Sequence, residues 1–356
     1  MPLASMTALV ALLAVLLTLA SSDAVEPATH TVAKPFAAVD VDPAQVRCDR
    51  FAAPYGSDRR AGTREQPFRG VPRLLRSLRA GETGCLQPGR YRHRDPAELR
   101  SPRTSLVGLG GRARVDGAIW IAERATGAQV RGLSLTASDR TFFIPLKVQA
   151  DRARVAGNRI FGSRSTTCVL IGSTRRARHV TIDRNWIHRC GRRGKLDHLI
   201  YVANADRTVI RGNVLSDNPG GWGVHLYPNA DRSIVERNLI DGNQGGVIFG
   251  GDGFRTADGN VVRANTITFS SPRWNIEGSW SRGVVGAGNL AYGNCLYTDG
   301  LDAPAGVGRQ IGFSSSSDLA SSRSPYSVRS GDGYGFAASD ACGRLVEPLP
   351  DAFETR

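Results

Sequence analysis

Two segments of the chain carry histidine and tyrosine side chains at a spacing that suits proton transfer. The segments are 197–207 and 221–232, and both end in the same four residues, Asn-Ala-Asp-Arg. Counted back from the shared asparagine, His198, His225 and Tyr227 all stand at even offsets, so alternation along a strand predicts that they share one outward face. Histidine transfers protons near neutral pH, and tyrosine can protonate a leaving oxygen. We therefore predict that these three residues are catalytic; the alternative is that they stack one strand on the next.

The core-facing positions of the two segments follow from the same alternation. Val224 and Leu226 have the opposite parity and are predicted to face the core, as is Tyr201. The first segment is less regular than the second, because Ile200 and Val202 share the parity expected for outward residues.

Further candidates flank these residues. A basic loop before the first histidine contains Arg192, Arg193 and Lys195, which can bind a carboxylate; an ordinary solvated charge run is the alternative. Trp222, in a Gly-rich turn, can stack on a sugar ring or pack within the fold. Asp252, in Phe-Gly-Gly-Asp-Gly-Phe, is a candidate acid or weak calcium ligand in what is also ordinary turn sequence. We assign no metal site and no certain cofactor, and calcium stays open.

The elements that must position these residues follow from a repeat. The pattern aliphatic-x-x-Asn-x-aliphatic occurs five times at intervals of 25 to 28 residues. Its asparagines are Asn158, Asn185, Asn213, Asn238 and Asn265. An earlier copy has Leu133 in the asparagine position, and we expect a late copy at Asn289. Repeats of this length are typical of solenoids.

The residue types indicate which solenoid forms. The runs are short, rich in Val, Ile and Thr, and interrupted by Gly, Asn and Asp, which favours strands over helices. An asparagine at one corner of each turn can adopt a left-handed backbone and bond to the next turn. We predict an all-β, single-stranded parallel β-helix of roughly seven to nine turns. A sandwich of short strands would not keep this register through five copies.

The N-terminal part of the chain predicts a cap for the solenoid. Val71, Leu74, Leu75 and Leu78 have helical spacing, and a helix there would cover the open end of the coil. A Gly-Ser-Asp…Gly-Thr…Pro-Phe segment precedes this helix, and Pro-Gly-Arg-Tyr follows it at 88–91.

With these motifs, the sequence resembles the exported right-handed β-helix proteins related to pectate lyases and other polysaccharide-degrading enzymes. The resemblance covers about residues 56–91 and the repeats through Asn294. It implies a right-handed parallel β-helix with a short N-terminal capping helix. It is specific for the fold and weak for activity, because such solenoids host lyases, hydrolases, epimerases and binding proteins. The polygalacturonase signatures Asn-Thr-Asp and Gly-Asp-Asp and the epimerase signature Asp-Pro-His are absent.

The domain organisation follows from composition. We predict a signal peptide at 1–24, an extended leader at 25–46, the cap and first turn at 47–100, the β-helix at 101–294 and a loop-rich closure at 295–356. Apart from the signal peptide no stretch is long and apolar enough to span a membrane, so we expect a secreted protein.

Six cysteines also fit an oxidising compartment. Local pairing predicts Cys48 with Cys85 and Cys295 with Cys342, which leaves Cys168 and Cys190 as the remaining pair.

The charge suggests the partner. The formal net charge is +14, and only Lys34, Lys147 and Lys195 are lysines, so arginine dominates. Such a surface can bind an acidic polysaccharide, or can simply keep the protein soluble. No nucleic-acid motif accompanies the charge. We expect a monomer.

Three functions remain open at this point. In a polysaccharide lyase, Arg193 or Lys195 would neutralise a uronate carboxylate, His198 or His225 would remove the adjacent C–H proton, and Tyr227 would protonate the leaving oxygen. In a glycoside hydrolase, Asp252 would act with Asp197 or Asp241. In a non-catalytic solenoid, the arginines would hold an anionic polymer.

Overall fold

The computed structural model describes residues 41–137, 144–162, 167–191, 197–253, 255–270, 273–280 and 286–297, together with the backbone of three short strands further on. The expectations for the signal peptide, for most of the leader, for Arg192, Arg193 and Lys195, and for Cys342 fall outside these residues.

The described residues form a right-handed parallel β-solenoid of about eight turns, as predicted. Its single α-helix in these residues is α1, Val71–Ser77. The strands are β1 Arg50–Ala52, β2 Thr83–Leu86, β3 Gly89–Arg92, β4 Ala97–Leu99, β5 Ser105–Gly108, β6 Ala113–Asp116, β7 Ile119–Ile121, β8 Gln129–Arg131, β9 Leu133–Thr136, β10 Leu146–Val148, β11 Arg154–Ala156, β12 Arg159–Phe161, β13 Val169–Ile171, β14 Ala177–Arg178, β15 Thr181–Asp183, β16 Trp186–His188, β17 Ile200–Asp206, β18 Val209–Arg211, β19 Val214–Ser216, β20 Trp222–Asp231, β21 Ile234–Glu236, β22 Leu239–Asp241, β23 Gly245–Asp252, β24 Arg255–Thr256, β25 Val261–Arg263, β26 Thr266–Thr268, β27 Ile276–Trp280, β28 Asn289–Tyr292, β29 Cys295–Tyr297, β30 Ile311–Phe313, β31 Tyr326–Val328 and β32 Gly333–Tyr334.

Each turn contributes one strand to each of three parallel sheets. Sheet A runs β1-β2-β5-β8-β11-β15-β18-β21-β25-β28-β31, and sheet B runs β3-β6-β9-β12-β16-β19-β22-β26-β29-β32. Sheet C runs β4-β7-β10-β13-β17-β20-β23-β27-β30, with β14 and β24 added at its margin. In every turn the chain passes from sheet A to sheet B to sheet C. Residues that occupy equivalent positions in successive turns therefore lie one strand spacing apart.

The core is built from aliphatic side chains stacked in columns. In sheet C one inward column joins Ile119, Leu146, Val169, Ile200 and Val224, all fully buried, through parallel register. Because side chains alternate between the two faces of a strand, the residues next in sequence to these inward positions point away from the core. This alternation determines which side chains of sheet C are available for binding or catalysis.

The predicted asparagine ladder is present at the corner between sheets A and B. The backbone N–H and the side-chain amide of Asn158 both donate to Oδ1 of Asn185, and the contact repeats along the ladder to Asn294. Leu133 fills the first position and donates its N–H to Asn158. The expected late copy at Asn289 is wrong: Asn289 accepts from Asn260 in a second ladder at another corner, and Asn294 is the sixth rung.

The left-handed residue at this corner is the one before each asparagine, not the asparagine itself. Gly157, Arg184, Gly212 and Arg237 have φ between 50° and 62°. The asparagine side chain must bond inward to a carbonyl two residues earlier and onward to the next turn, so the preceding residue makes the bend. A residue other than glycine in this region, such as Arg184 or Ala264, costs about 1 kcal/mol, which the ladder offsets.

The cap and two predicted disulfides are confirmed. Helix α1 begins with Val71 and Pro72 and buries Val71, Leu74 and Leu75. Cys48 is bonded to Cys85, with their Cα atoms 5.8 Å apart. A second disulfide joins Cys168, just before β13, to Cys190, just after β16, and so ties two adjacent turns where sheet B leads into sheet C. Two disulfides are typical of proteins that fold in an oxidising compartment.

Candidate functional site

The candidate site lies on the outer face of three unusually long strands of sheet C. Strands β17, β20 and β23 contain 7, 10 and 8 residues, whereas β7, β10 and β13 contain 3 each. Glycines in β23 make room for large rings: a Cβ on Gly245 would lie 2.4 Å from the Trp222 ring, and a Cβ on Gly250 would lie 2.9 Å from the Tyr227 ring. On these long strands, bulky aromatic side chains therefore pack beside glycines of the neighbouring strand.

Register brings a different set of residues together than the repeat suggested. The shared strings do align, with Asn204 opposite Asn229, but a bulge upstream shifts the pairing, so Tyr201 lies opposite His225. The expectation that Tyr201 faces the core is therefore wrong. It points outward and is half-buried, while Ile200 and Val202 are in the core. Two residues separate Leu226 from Asn229 in the second segment, but only one separates Val202 from Asn204 in the first. Counting back from the asparagine therefore gave the wrong parity for Tyr201.

A pair of histidines forms the centre of the site. His198 lies in the turn before β17 and is only 3 % exposed, and His225 is 8 % exposed. Nδ1 of His225 and Nε2 of His198 are 2.7 Å apart. The Trp222 backbone N–H donates to Nδ1 of His198 at 3.3 Å, so the proton of that ring sits on Nε2. His198 then donates to His225, whose own proton is left on Nε2.

Burial keeps both rings neutral. Desolvation lowers the pKa of His198 to about 3. The pKa of His225 is also lowered well below its ordinary value, first by burial and then by the neighbouring His198. A neutral histidine with a fixed Nε2–H is a hydrogen-bond donor rather than a base.

Aromatic rings hold His225 from two sides. The ring stacks on Tyr201 at 5.1 Å and on Tyr227 at 5.0 Å between centroids. Tyr201 is also edge-on to His198 at 5.3 Å, and burial raises its pKa to about 12. These contacts fix the orientation of the imidazole.

Tyr227 connects the histidines to a charged pair. Its hydroxyl donates to Oδ2 of Asp252 at 3.0 Å, and the Arg255 guanidinium donates to both oxygens of the same carboxylate at 2.9 and 3.1 Å. Asp252 ends β23 and Arg255 begins the short antiparallel strand β24. Sequence reasoning found Asp252 but missed Arg255, because the antiparallel strand β24 interrupts the repeat.

Trp222 is a packing residue on the other side of the histidines. It is 3 % exposed, and its indole N–H donates to Glu277 at 3.1 Å, so it offers no open ring to a sugar. Glu277 is fully buried and is paired with Arg273, which also lies over the Trp222 ring at 5.1 Å. This group supports the Trp222 backbone N–H that orients His198. Glu277 was missed because β27 lies outside the recognisable repeats.

The carboxylates proposed for hydrolysis do not converge. Asp241 ends β22, just before β23 begins, whereas Asp252 ends β23, roughly 23 Å further along that strand. Asp197 lies before β17, also at the starting edge of sheet C, and is 9 % exposed. Neither can share one glycosidic bond with Asp252, since such pairs are at most about 9.5 Å apart. Among the residues described, no group of three or more His, Cys, Asp or Glu side chains is placed to hold a metal ion.

Comparison with known proteins agrees with this architecture. Residues 146–296 match the family model of the right-handed β-helix region. The crystal structure of pectate lyase Pel9A superposes with a TM-score of 0.53 at 12 % identity, covering 85 % of this chain and 82 % of that chain. The chain thus has the right-handed parallel β-helix fold, which that pectate lyase shares.

Two further solved structures match the chain with lower scores. The catalytic unit of a GH87 α-1,3-glucanase from Streptomyces thermodiastaticus strain HF3-3 matches with a TM-score of 0.46 at 12 % identity, over 86 % of this chain and 72 % of that chain. PfbA, a surface adhesin of Streptococcus pneumoniae, matches with a TM-score of 0.46 at 7 % identity, over 64 % and 74 %. No curated protein matches the sequence. In the part of the chain that is described, no helix is long and apolar enough to cross a membrane.

Proposed function

We propose that the protein is a secreted, monomeric polysaccharide lyase that cleaves an acidic glycan by β-elimination on the outer face of β17, β20 and β23. The observation that carries this proposal is the Tyr227 hydroxyl, which donates to Asp252 and lies beside a stacked, neutral histidine. A hydroxyl whose proton is directed at a carboxylate can pass that proton on as it accepts one from a substrate. Support for the substrate class comes from the fold shared with pectate lyase.

The geometry suggests a role for each group in the reaction. Tyr227 Oη takes the C–H proton next to the uronate carboxylate while its own proton moves to Asp252. The electron pair of the broken C–H bond forms the new double bond, and the C–O bond to the leaving sugar breaks. Asp252 returns its proton to Tyr227, which gives one to the leaving oxygen, so the residues end as they began. Arg255 holds Asp252 in position throughout.

The histidines take a different role from the one that the sequence suggested. His198 is engaged at both ring nitrogens, so it cannot accept the substrate proton. His225 presents Nε2–H, which can donate to the uronate carboxylate as negative charge builds up there. In the same proposal Arg192, Arg193 and Lys195, which precede His198 in the chain, contribute positive charge to that carboxylate.

The test is turnover on a panel of uronate polysaccharides, with and without calcium, following ultraviolet absorbance of unsaturated ends and new reducing ends in parallel. We expect both signals from the wild type. Tyr227→Phe should lower the rate by about 10²- to 10⁴-fold. The matched control is Tyr55→Phe, which also removes one hydroxyl but at the exposed cap, where it bonds to Gln87.

Each of the other outcomes would support a different conclusion about the function. Reducing ends without absorbance would replace elimination with hydrolysis. Unchanged turnover in Tyr227→Phe would remove the site assignment. Silence in both signals, with binding retained, would make the protein a non-catalytic polysaccharide-binding solenoid.

A further inference from the structure

The outer face of sheet B carries a group of arginine and aromatic side chains that the proposed function does not use. Parallel register places Arg114, Ser134 and Arg159 in one column on successive turns. Each of them is next in sequence to a buried aliphatic residue, so all three point outward. The Cα atoms of Arg114 and Arg159 are two strand spacings apart, about 10 Å. Sheet B thus presents two arginines with a serine between them.

Both guanidinium groups of this column are directed at the same aromatic ring. The guanidinium carbon of Arg114 lies 5.4 Å from the centroid of Phe161, and that of Arg159 lies 4.5 Å from it. The guanidinium of Arg159 also lies 4.5 Å from the centroid of the Trp186 ring. Aromatic faces attract guanidinium groups and orient them. The two arginines therefore converge on Phe161, although a whole turn separates them.

A neutral histidine positions the second arginine. Nε of Arg159 donates to Nε2 of His188 at 3.2 Å, so the proton of that imidazole is on Nδ1. Burial, and then the charges of Arg159 and Arg189, lower the pKa of His188 to about 3. His188 is 3 % exposed and stacks on Trp186 at 3.9 Å between ring centroids. The histidine thus fixes the direction of the guanidinium without neutralising its charge.

The two positive charges are not balanced within the described part of the chain. No carboxylate there forms an ion pair with Arg114 or Arg159, and Asp116, the one carboxylate of β6, is paired with Arg90. Burial, followed by the charges of Arg114 and Arg189, lowers the pKa of Arg159. A partly buried cation next to other cations costs free energy, which a bound anion would offset.

Three arginines on the outer face of sheet A show the opposite arrangement. Arg154 and Arg211 both pair with Asp183, and Arg263 pairs with Glu236. These charges are neutralised by side chains of the protein itself. Sheet B differs because its arginines are held by aromatic rings and a histidine, which leave the charge available to a ligand.

We propose that Arg114, Ser134 and Arg159 form a binding site for a tetrahedral oxyanion, a phosphate or sulfate group that is either free or esterified to a polymer. A carboxylate has two oxygens in one plane, which match a single guanidinium fork. Phosphate and sulfate offer oxygens in several directions, so that one group can accept from both forks and from the serine hydroxyl. The site is separate from the face of β17, β20 and β23, and the inference does not rest on the proposed function.

The test is calorimetric titration of the purified protein with sodium sulfate and with sodium phosphate, at a low ionic strength held constant with sodium chloride. Sodium acetate is the carboxylate probe. We expect saturable binding of both tetrahedral anions at one site, and binding of acetate at least about tenfold weaker. Arg114→Met should weaken sulfate binding about tenfold, the loss of one charge-assisted contact, and Ser134→Ala about fivefold.

Two further variants separate the site from general charge effects. Arg237→Met removes the same charge from another exposed arginine, about five strand spacings from Arg114, and should change sulfate affinity less than twofold. Arg114→Lys keeps the charge but loses the fork, and should bind sulfate with intermediate affinity. Arg114 is exposed, so its substitution should leave the fold intact, which circular dichroism and thermal unfolding verify.

A polymer titration identifies the source of the anion. Polyphosphate and dextran sulfate are compared with the free ions for each charged group. Tighter binding of a polymer that is lost in Arg114→Met assigns the site to an ester on a polymer, and equal binding assigns it to the free ion. Absence of saturable binding, equal affinity of Arg114→Met and Arg237→Met, or acetate binding as tight as that of sulfate would each overturn the inference.

Discussion

The asparagine corner and the outer face of the long strands both carry polar side chains on successive turns, but they use them differently. At the corner, each rung repeats the one before: Asn185 and Asn213 make the same bonds to the same partners one turn apart. On the outer face the register neighbours change from Tyr201 to His225 to Ile248 to Glu277. A polar group that recurs in every turn stabilises the contact between turns. A polar group that occurs once is instead held by the particular side chains around it.

The largest effect should come from breaking the ladder in the middle. Asn213→Ala removes bonds from the side-chain amide to three oxygens and two bonds to Oδ1 from Asn185, all within a fully buried site. We expect the free energy of unfolding to fall by about 3 to 5 kcal/mol, because buried donors and carbonyls lose their partners. Urea unfolding measures this. A loss below about 1 kcal/mol would mean that water replaces the rung.

A smaller effect is expected from Glu277→Gln on the outer face. The substitution keeps the acceptor for the Trp222 indole but leaves Arg273 without its countercharge in a largely buried place. We expect a loss of about 2 kcal/mol in unfolding free energy, together with slower turnover as Trp222 relaxes around His198. Glu236→Gln breaks a more exposed pair with Arg263 on sheet A and should cost less than about 1 kcal/mol. Equal losses in the two variants would contradict the argument.

The third prediction concerns the pH dependence of stability, to which three buried histidines should contribute. Burial lowers the pKa of His198 and of His188 to about 3, and that of His225 in the same direction. The unfolded chain therefore binds more protons than the folded protein below its ordinary histidine pKa of about 6.5. The free energy of unfolding should be highest above that value and fall as pH drops toward 3, by up to about 1.4 kcal/mol per pH unit for each histidine.

The variant His198→Gln isolates one of these contributions. Its unfolding free energy, followed by urea titration from about pH 7 to pH 4, should depend on pH less steeply than the wild type by up to about 1.4 kcal/mol per unit. For Asp206, burial acts to raise the pKa, but the hydrogen bond and charge of Arg232 and the other arginine neighbours lower it overall, so this residue contributes only at the acid end of the range. If the unfolding free energy of the variant changed with pH as steeply as that of the wild type, His198 would be protonated to the same extent in the folded and the unfolded protein.

The smallest effect should come from an asparagine pair that is not part of a ladder. The side-chain amide of Asn229 donates to Oδ1 of Asn204 at 2.9 Å at the margin of sheet C, and both residues are half-buried. Asn229→Ala should cost about 1 kcal/mol, the typical net value of one hydrogen bond. Thermal unfolding beside Asn213→Ala gives the comparison directly. A cost as large as that of Asn213→Ala would show that burial in the ladder adds nothing.

Much of the site was within reach of the sequence, and the errors have one physical origin. His198, His225, Tyr227 and Asp252 were identified from residue type and from the aligned strings, and the fold brings all four to one face. Tyr201 was assigned to the wrong side because a single bulge reverses parity upstream of it. Alternation along a strand predicts which face a side chain lies on only as far as the next bulge in that strand.

The sequence by itself determined the solenoid, its cap, the asparagine ladder and two disulfides, because each depends on a residue type recurring at a fixed interval or on nearby cysteines. Only the tertiary structure decided which nitrogen of each histidine carries its proton, that Arg255 holds Asp252, that Glu277 supports Trp222, and that Asp241 is far from Asp252. These facts depend on residues in different turns whose distance is set by register, and register is a property of the folded sheet.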